Sequence, residues 1–195
     1  MPWRVDSNLR TPAVTTSLQG TRRRTHIALY AAVAVLLFVV ERLLPNPVPW
    51  VRLGLANAVT LIVLWQYGVR AAATVVALRL VLGGLFAASL LGPQFWLAAS
   101  GAAASFLVMT VALYLGWRWW SPLGISVFGS VAHACAQLLV VALLFDAGMG
   151  VLGFLPAFLF VSLLTGILTG VIADTLLARL EVAQSPPESQ AAERP

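Results

Sequence analysis

The chain contains no lysine, one cysteine and only three aspartates, Asp6, Asp146 and Asp174, far apart in its 195 residues. The solitary Cys135 excludes an intramolecular disulfide, and with neither a CxxC nor an HExxH pattern present no metal centre is expected. No GxxxxGK[ST] loop occurs, so the chain carries no phosphate cradle for nucleotide hydrolysis, and no cofactor is expected. Charge itself is scarce: 10% of residues are charged, against about a quarter in soluble domains. An ordinary cytosolic globule is ruled out.

What the chain has instead is apolar length. Hydrophobic residues make up 60% of it and the mean hydropathy is +0.91. The net charge of +5 comes entirely from arginines on the basic side. These punctuate apolar runs and do not gather on one polar face, which fits membrane orientation and not nucleic-acid binding.

Breaks fall at Pro45 to Pro49, Tyr67-Gly68, Leu91-Gly92-Pro93, Trp117 to Pro122 and Asp146 to Gly150. They delimit six apolar segments, approximately 27–44, 51–67, 69–91, 94–117, 122–145 and 151–178. Each is near the length a helix needs to cross hydrocarbon, the second being marginal. Continuous apolarity without period-two alternation disfavours a β-barrel. The expected fold is therefore an all-α integral membrane protein, a bundle of six transmembrane helices over residues 27–180. Residues 1–26 and 181–195 read as disordered tails, and no small-x-small cleavage site follows the first apolar run, which is taken as retained.

An N-terminus inside places Arg22, Arg23, Arg24, Arg70, Arg118 and Arg179 on the cytoplasmic side and Glu41, Arg42, Arg52 and Asp146 on the outer side. Both termini are then cytoplasmic, in a multi-pass protein of the cell membrane. Trp50, Tyr67, Trp117, Trp119 and Trp120 sit at segment ends, as interfacial anchors do.

Polar side chains inside the spans need a partner or a cavity, because hydrocarbon penalises each one. Arg79 lies near the middle of the third segment, and its guanidinium either holds a carboxylate or phosphate in a fork of hydrogen bonds or pairs internally with Asp174. His133 and Gln137, four residues apart, share one helix face with Gly129 a turn earlier; that face lines a polar pocket or simply bonds across helices. Arg52 is close enough to the outer interface to snorkel, whereas Asn57 is deeper. The candidate binding set is Arg52, Asn57, Arg79, His133 and Gln137, facing one outward-leaning cavity. Small-residue ridges occur at Ala28 with Ala32, Gly84 with Ala88, and Ser162, Gly166, Gly170 and Asp174. Such ridges allow close helix approach.

Three stretches carry a resemblance: Pro49-Trp50-Val51-Arg52-Leu53-Gly54-Leu55-Ala56-Asn57, Leu78-Arg79-Leu80-Val81-Leu82-Gly83-Gly84-Leu85, and Gly129-Ser130-Val131-Ala132-His133-Ala134-Cys135-Ala136-Gln137-Leu138. Together they resemble the Gx transporter family, often labelled heptaprenyl diphosphate synthase component I, over about residues 26–180. That family is similar in turn to the S components of energy-coupling factor transporters. The resemblance implies a six-helix S-component-like subunit that captures a small nutrient, anionic or zwitterionic to suit the site, and acts with a coupling membrane subunit and ATPases. It also implies that Ala28 and Ala32 belong to the surface docked on that coupling subunit. A prenyl diphosphate synthase would need aspartate clusters to hold Mg²⁺ against diphosphate, and three scattered aspartates do not form one. The alternative is therefore a non-catalytic membrane component of isoprenoid synthesis, and a purely structural scaffold is the third reading. None of the three makes this chain an enzyme by itself.

Overall fold

The computed structural model describes residues 12–43, 54–86, 90–116, 121–144, 150 and 153–184. These residues form six helices: α1 (Pro12–Leu43), α2 (Leu55–Tyr67), α3 (Val69–Phe86), α4 (Pro93–Gly116), α5 (Pro122–Leu144) and α6 (Leu155–Gln184). Five contain stretches long and apolar enough to cross a membrane, the exception being α2. The protein is an all-α, multi-pass membrane bundle.

Local chemistry explains the starts. Proline opens α1, α4 and α5, where its fixed φ suits the first helical position and its missing N–H removes a donor that would be orphaned anyway. Ser121 caps α5, its hydroxyl accepting from the Gly124 N–H at 3.3 Å. The first helix begins at Pro12, well before the apolar run that starts at Ile27, so part of the expected N-terminal tail is a polar continuation of the span. Arginine is a good helix former, and the extension is tied down by Arg23, whose guanidinium donates to the Tyr67 carbonyl at 2.9 Å. Likewise α6 runs on to Gln184. Residues 1–11 and 185–195 lie outside the described residues.

The helices group into two blocks. The most extensive packing joins α5 to α4 and to α6, while α1 packs chiefly on α3 and α2. Between the blocks the contacts of α3 with α4 and of α2 with α6 are sparser. Residues 56–64 of α2 are all buried, the pattern of a helix that is apolar all round and surrounded on every side.

Glycine sets the spacing of α5 and α6. A Cβ on Gly166 would sit 2.9 Å from the Val127 Cα, and one on Gly170 would sit 2.8 Å from the Leu123 Cα. The Ser126 and Thr169 hydroxyls bond across the same interface at 2.8 Å. The small-residue ridge of the sixth helix is thus internal packing through Ser162, Gly166 and Gly170, all buried, whereas Asp174 faces outward. In the third helix Gly84 is buried, and Ala88 lies outside the described residues.

Gly166→Leu is expected to force α5 and α6 apart and to destabilise the protein by about 1–3 kcal/mol, the usual range for overpacking. Thermal unfolding in detergent measures it. Gly20→Ala is the control, because nothing lies within 4 Å of the added methyl, and it should leave the transition unchanged or slightly raised.

Candidate functional site

The site originates in the length of α2. Thirteen residues span only about 20 Å, against about 30 Å of hydrocarbon. Its C-terminal end is held beside the arginine-rich start of α1, where Arg23 binds the Tyr67 carbonyl and His26 Nδ1 meets the Tyr67 hydroxyl at 3.0 Å. A helix of this length that starts from one interface ends short of the other. Non-helical backbone is tolerated there only where it is buried in protein or lines a cavity, and Gly54 lines two adjoining clefts. Gly54 has φ +70°, a left-handed conformation that a side chain would strain. It offers the helix no side-chain cap. The Leu55 N–H is satisfied instead by the Glu41 carboxylate.

Glu41 is the residue that the candidate set left out. Sequence reasoning placed it on the outer side, beside Arg42 and just before a proline-rich loop, and gave it no role in the site; in the structure it is only 4% exposed. It lies within α1, which runs to Leu43, on the helix face that buries Ala34 and Phe38. The spacing of four and then three residues from Ala34 through Phe38 to Glu41 was the available signal.

Asn57 and Arg79 meet directly. Arg79 Nη2 donates to Asn57 Oδ1 at 2.8 Å, and both side chains are buried. Arg79 is nine residues along α3 from the exposed Arg70, about 14 Å deeper. Asn57 is ten residues from Tyr67, about 15 Å deeper. The two are level, at about 14–15 Å along the helices from the Arg70 and Tyr67 end of the bundle. The pairing of Arg79 with Asp174 considered from sequence does not form, since Asp174 is exposed on α6.

His133 and Gln137 do share a face of α5, and both line a cleft of about 400 Å³, measured to its open mouth, with Asn57, Ser130, Ser162 and Thr165. The second cleft, about 310 Å³, is bounded by Glu41, Asn57, Arg79 and His133 together with Phe38, Leu80, Ala98 and Ala102. Gly54, Asn57 and His133 belong to both, so one polar seam runs between the two helix blocks. Gly101 makes room for the His133 ring: a Cβ there would lie 2.6–2.8 Å from three ring atoms. Gln137 Nε2 also reaches the Leu97 carbonyl of α4 at 3.5 Å, so this residue both lines the cleft and bridges helices. Gly129, one turn earlier on α5, lines neither cleft; it receives the Met109 side chain.

Four of the five candidate binding residues are accordingly brought together, Asn57, Arg79, His133 and Gln137. Arg52 lies outside the described residues. Ala28 and Ala32 are exposed on α1, on a face that also exposes Leu29 and Leu36. Among the described residues the seam offers one guanidinium, one carboxylate, one imidazole, two amides and several hydroxyls. Among the described residues no group of three or more His, Cys, Asp or Glu side chains is placed to hold a metal ion.

The family model described as heptaprenyl diphosphate synthase component I matches residues 30–176. No curated protein and no solved structure matches the chain.

Glu41 and Arg79 bring opposite charges to one cleft, so replacing either by Leu leaves a net buried charge. Each single variant is expected to lose about 3–5 kcal/mol of stability. The double variant should lose less than the sum of the two, and denaturant unfolding of all four proteins in detergent measures that coupling.

Proposed function

Because the chain belongs to the heptaprenyl diphosphate synthase component I family, and because that name associates it with a membrane component, we propose that it is a non-catalytic, membrane-embedded binding subunit. Its ligand is a small anionic or zwitterionic molecule held by Asn57, Arg79, His133 and Gln137. The observation that carries this reading is the Arg79–Asn57 hydrogen bond, buried at the edge of a cleft in an apolar helical bundle. An intramembrane charge of this kind is by default a functional feature. A scaffold has no need of a buried polar seam.

The chain sits in the cell membrane with both termini in the cytoplasm. Supporting this, Arg22, Arg23, Arg24, Arg70 and Arg179 are exposed, and the tie from Arg23 to Tyr67 sets the first four at one end of the bundle; cytoplasmic ends retain such charges. The clefts then open toward the outside, beyond the short α2. Uptake follows if the subunit works, as S components do, with a coupling membrane protein and ATPases, for which the exposed Ala28 and Ala32 offer a close-approach surface. Arg52 joins the ligand set at the outer edge.

The family description favours a second reading, a membrane component of heptaprenyl diphosphate synthesis. Catalysis would then reside in a partner, since the aspartates needed for Mg²⁺-diphosphate chemistry are not clustered in this chain.

Affinity purification followed by native mass spectrometry separates these readings. Ligand capture predicts a small-molecule adduct that is lost from a folded Arg79→Gln variant, together with recovery of ATPases and a coupling subunit. Recovery of a soluble prenyltransferase supports the second reading. A folded protein with no adduct and neither partner refutes both.

A further inference from the structure

The larger cleft differs from its neighbour in carrying no arginine, aspartate or glutamate among its described lining residues. We propose that it is a subsite for an uncharged primary carboxamide, whose N–H groups meet Gln137 and the hydroxyls of α6 and whose carbonyl meets Asn57. This rests on the ligand-binding reading above and names the group at one end of that ligand.

The two amide side chains that line the cleft are each oriented by a bond made away from it. Asn57 Oδ1 accepts from Arg79 Nη2, so the Asn57 amide nitrogen is the end left for a ligand, and it is a donor. The glycine at position 54 keeps that nitrogen uncovered, since a Cβ there would lie 3.7 Å from it. Gln137 Nε2 faces the Leu97 carbonyl, which can only accept, so Gln137 Oε1 is the free end and is an acceptor. Ser130 makes no side-chain hydrogen bond among the described residues, and its hydroxyl can donate or accept. Asn57, Ser130 and Gln137 are 5%, 8% and 5% exposed. Their unpaired atoms nevertheless keep open surface, unlike the Ser105 hydroxyl, which is sealed in the packed interior.

The hydroxyls of α6 tilt the balance toward acceptors. Ser162 donates to the Leu159 carbonyl at 2.9 Å and Thr165 to the Ser162 carbonyl at 3.1 Å. With their protons committed to their own helix, both oxygens present lone pairs. The cleft therefore has one fixed donor, Asn57, one group of either kind, Ser130, and three acceptors. A ligand group must bring more donors than acceptors and no net charge, because an ion held here without a counter-charge would be penalised strongly. That excludes an ammonium, which is charged, a carboxylate, which has no donor, and an ester, which has none either. An alcohol brings a single donor. A primary carboxamide brings two N–H donors and one carbonyl in a fixed plane, and Ala134, Phe158 and Val161 supply apolar wall for the carbon that bears it.

The test uses the purified full-length protein in nanodiscs, titrated at neutral pH with a zwitterionic, an anionic and a neutral carboxamide: glutamine, succinamate and benzamide. Each is compared with its methyl ester analogue (glutamate γ-methyl ester, monomethyl succinate, methyl benzoate) and its alcohol analogue (5-hydroxynorvaline, 4-hydroxybutyrate, benzyl alcohol). At least one carboxamide should bind about tenfold tighter than both of its analogues, the scale of one or two neutral hydrogen bonds. Gln137→Met should abolish the preference over the ester while affinity for the ester holds. Ser130→Ala, which removes one hydroxyl and little volume, should weaken carboxamide binding about threefold or more. An ester or alcohol that binds wild-type protein as tightly as its carboxamide overturns the assignment and leaves the binding reading intact. A preference unchanged in folded Gln137→Met and Ser130→Ala overturns the placement in this cleft. Binding by none of the three carboxamides also overturns the assignment, and the binding reading is then decided separately by the native-mass adduct.

Discussion

A peptide N–H in hydrocarbon has no water to turn to, and an α-helix that ends inside the bilayer leaves several such groups at its first turn. α2, at thirteen residues, is too short to cross hydrocarbon, and its first turn poses this problem. Its end is covered in three ways: Gly54 adopts the left-handed turn that starts it, the Asn57 N–H closes back on the Gly54 carbonyl at 2.8 Å, and Glu41 crosses from α1 to accept from Leu55. Once a carboxylate is required at that depth, charge balance calls for a cation nearby, and Arg79 lines the same cleft. Asn57 then binds the guanidinium from the first turn of the same short helix. The polar seam is thus built outward from one interrupted helix.

The apolar framework does the opposite task, removing freedom. The nine buried positions of α2 fix its axis between the other helices. Glycines on α5 and α6 set their separation, and Gly101 gives the His133 ring a flat place to lie. These choices place imidazole and amide opposite the α2 end without relying on flexible loops. Positions built on helices hold side chains more closely than loops do.

Much of this was legible from the residues. Proline and glycine breaks marked the six helices, because they act through local backbone geometry. Arg79 and Asn57 stood out because a polar residue in an apolar run is conspicuous, and the four-residue spacing of His133 and Gln137 placed them on one face. Glu41 escaped for the complementary reason: it lies at the end of the first apolar segment, beside Arg42 and close to prolines, where a charge looks like an ordinary interfacial residue, and its place on the face of Ala34 and Phe38 is a matter of which side of α1 meets its neighbours. The start of α1 at Pro12 was equally hidden, since composition distinguishes apolar from polar but not helical from unordered. Whether Arg79 would find Asp174 or Asn57 depended on the rotational setting of α6 against its neighbours, a tertiary quantity with no local signature.

The two helix blocks give the seam a property that neither has alone. Glu41, Asn57 and Arg79 come from α1, α2 and α3, whereas His133 and Gln137 come from α5, and packing between the blocks is sparser than packing within them. The width of the cleft is accordingly a matter of how one block rests on the other. A residue at that junction, lining no cleft, sets the shape of the seam as surely as a wall residue does, and the cleft becomes a reading of the blocks' relative pose.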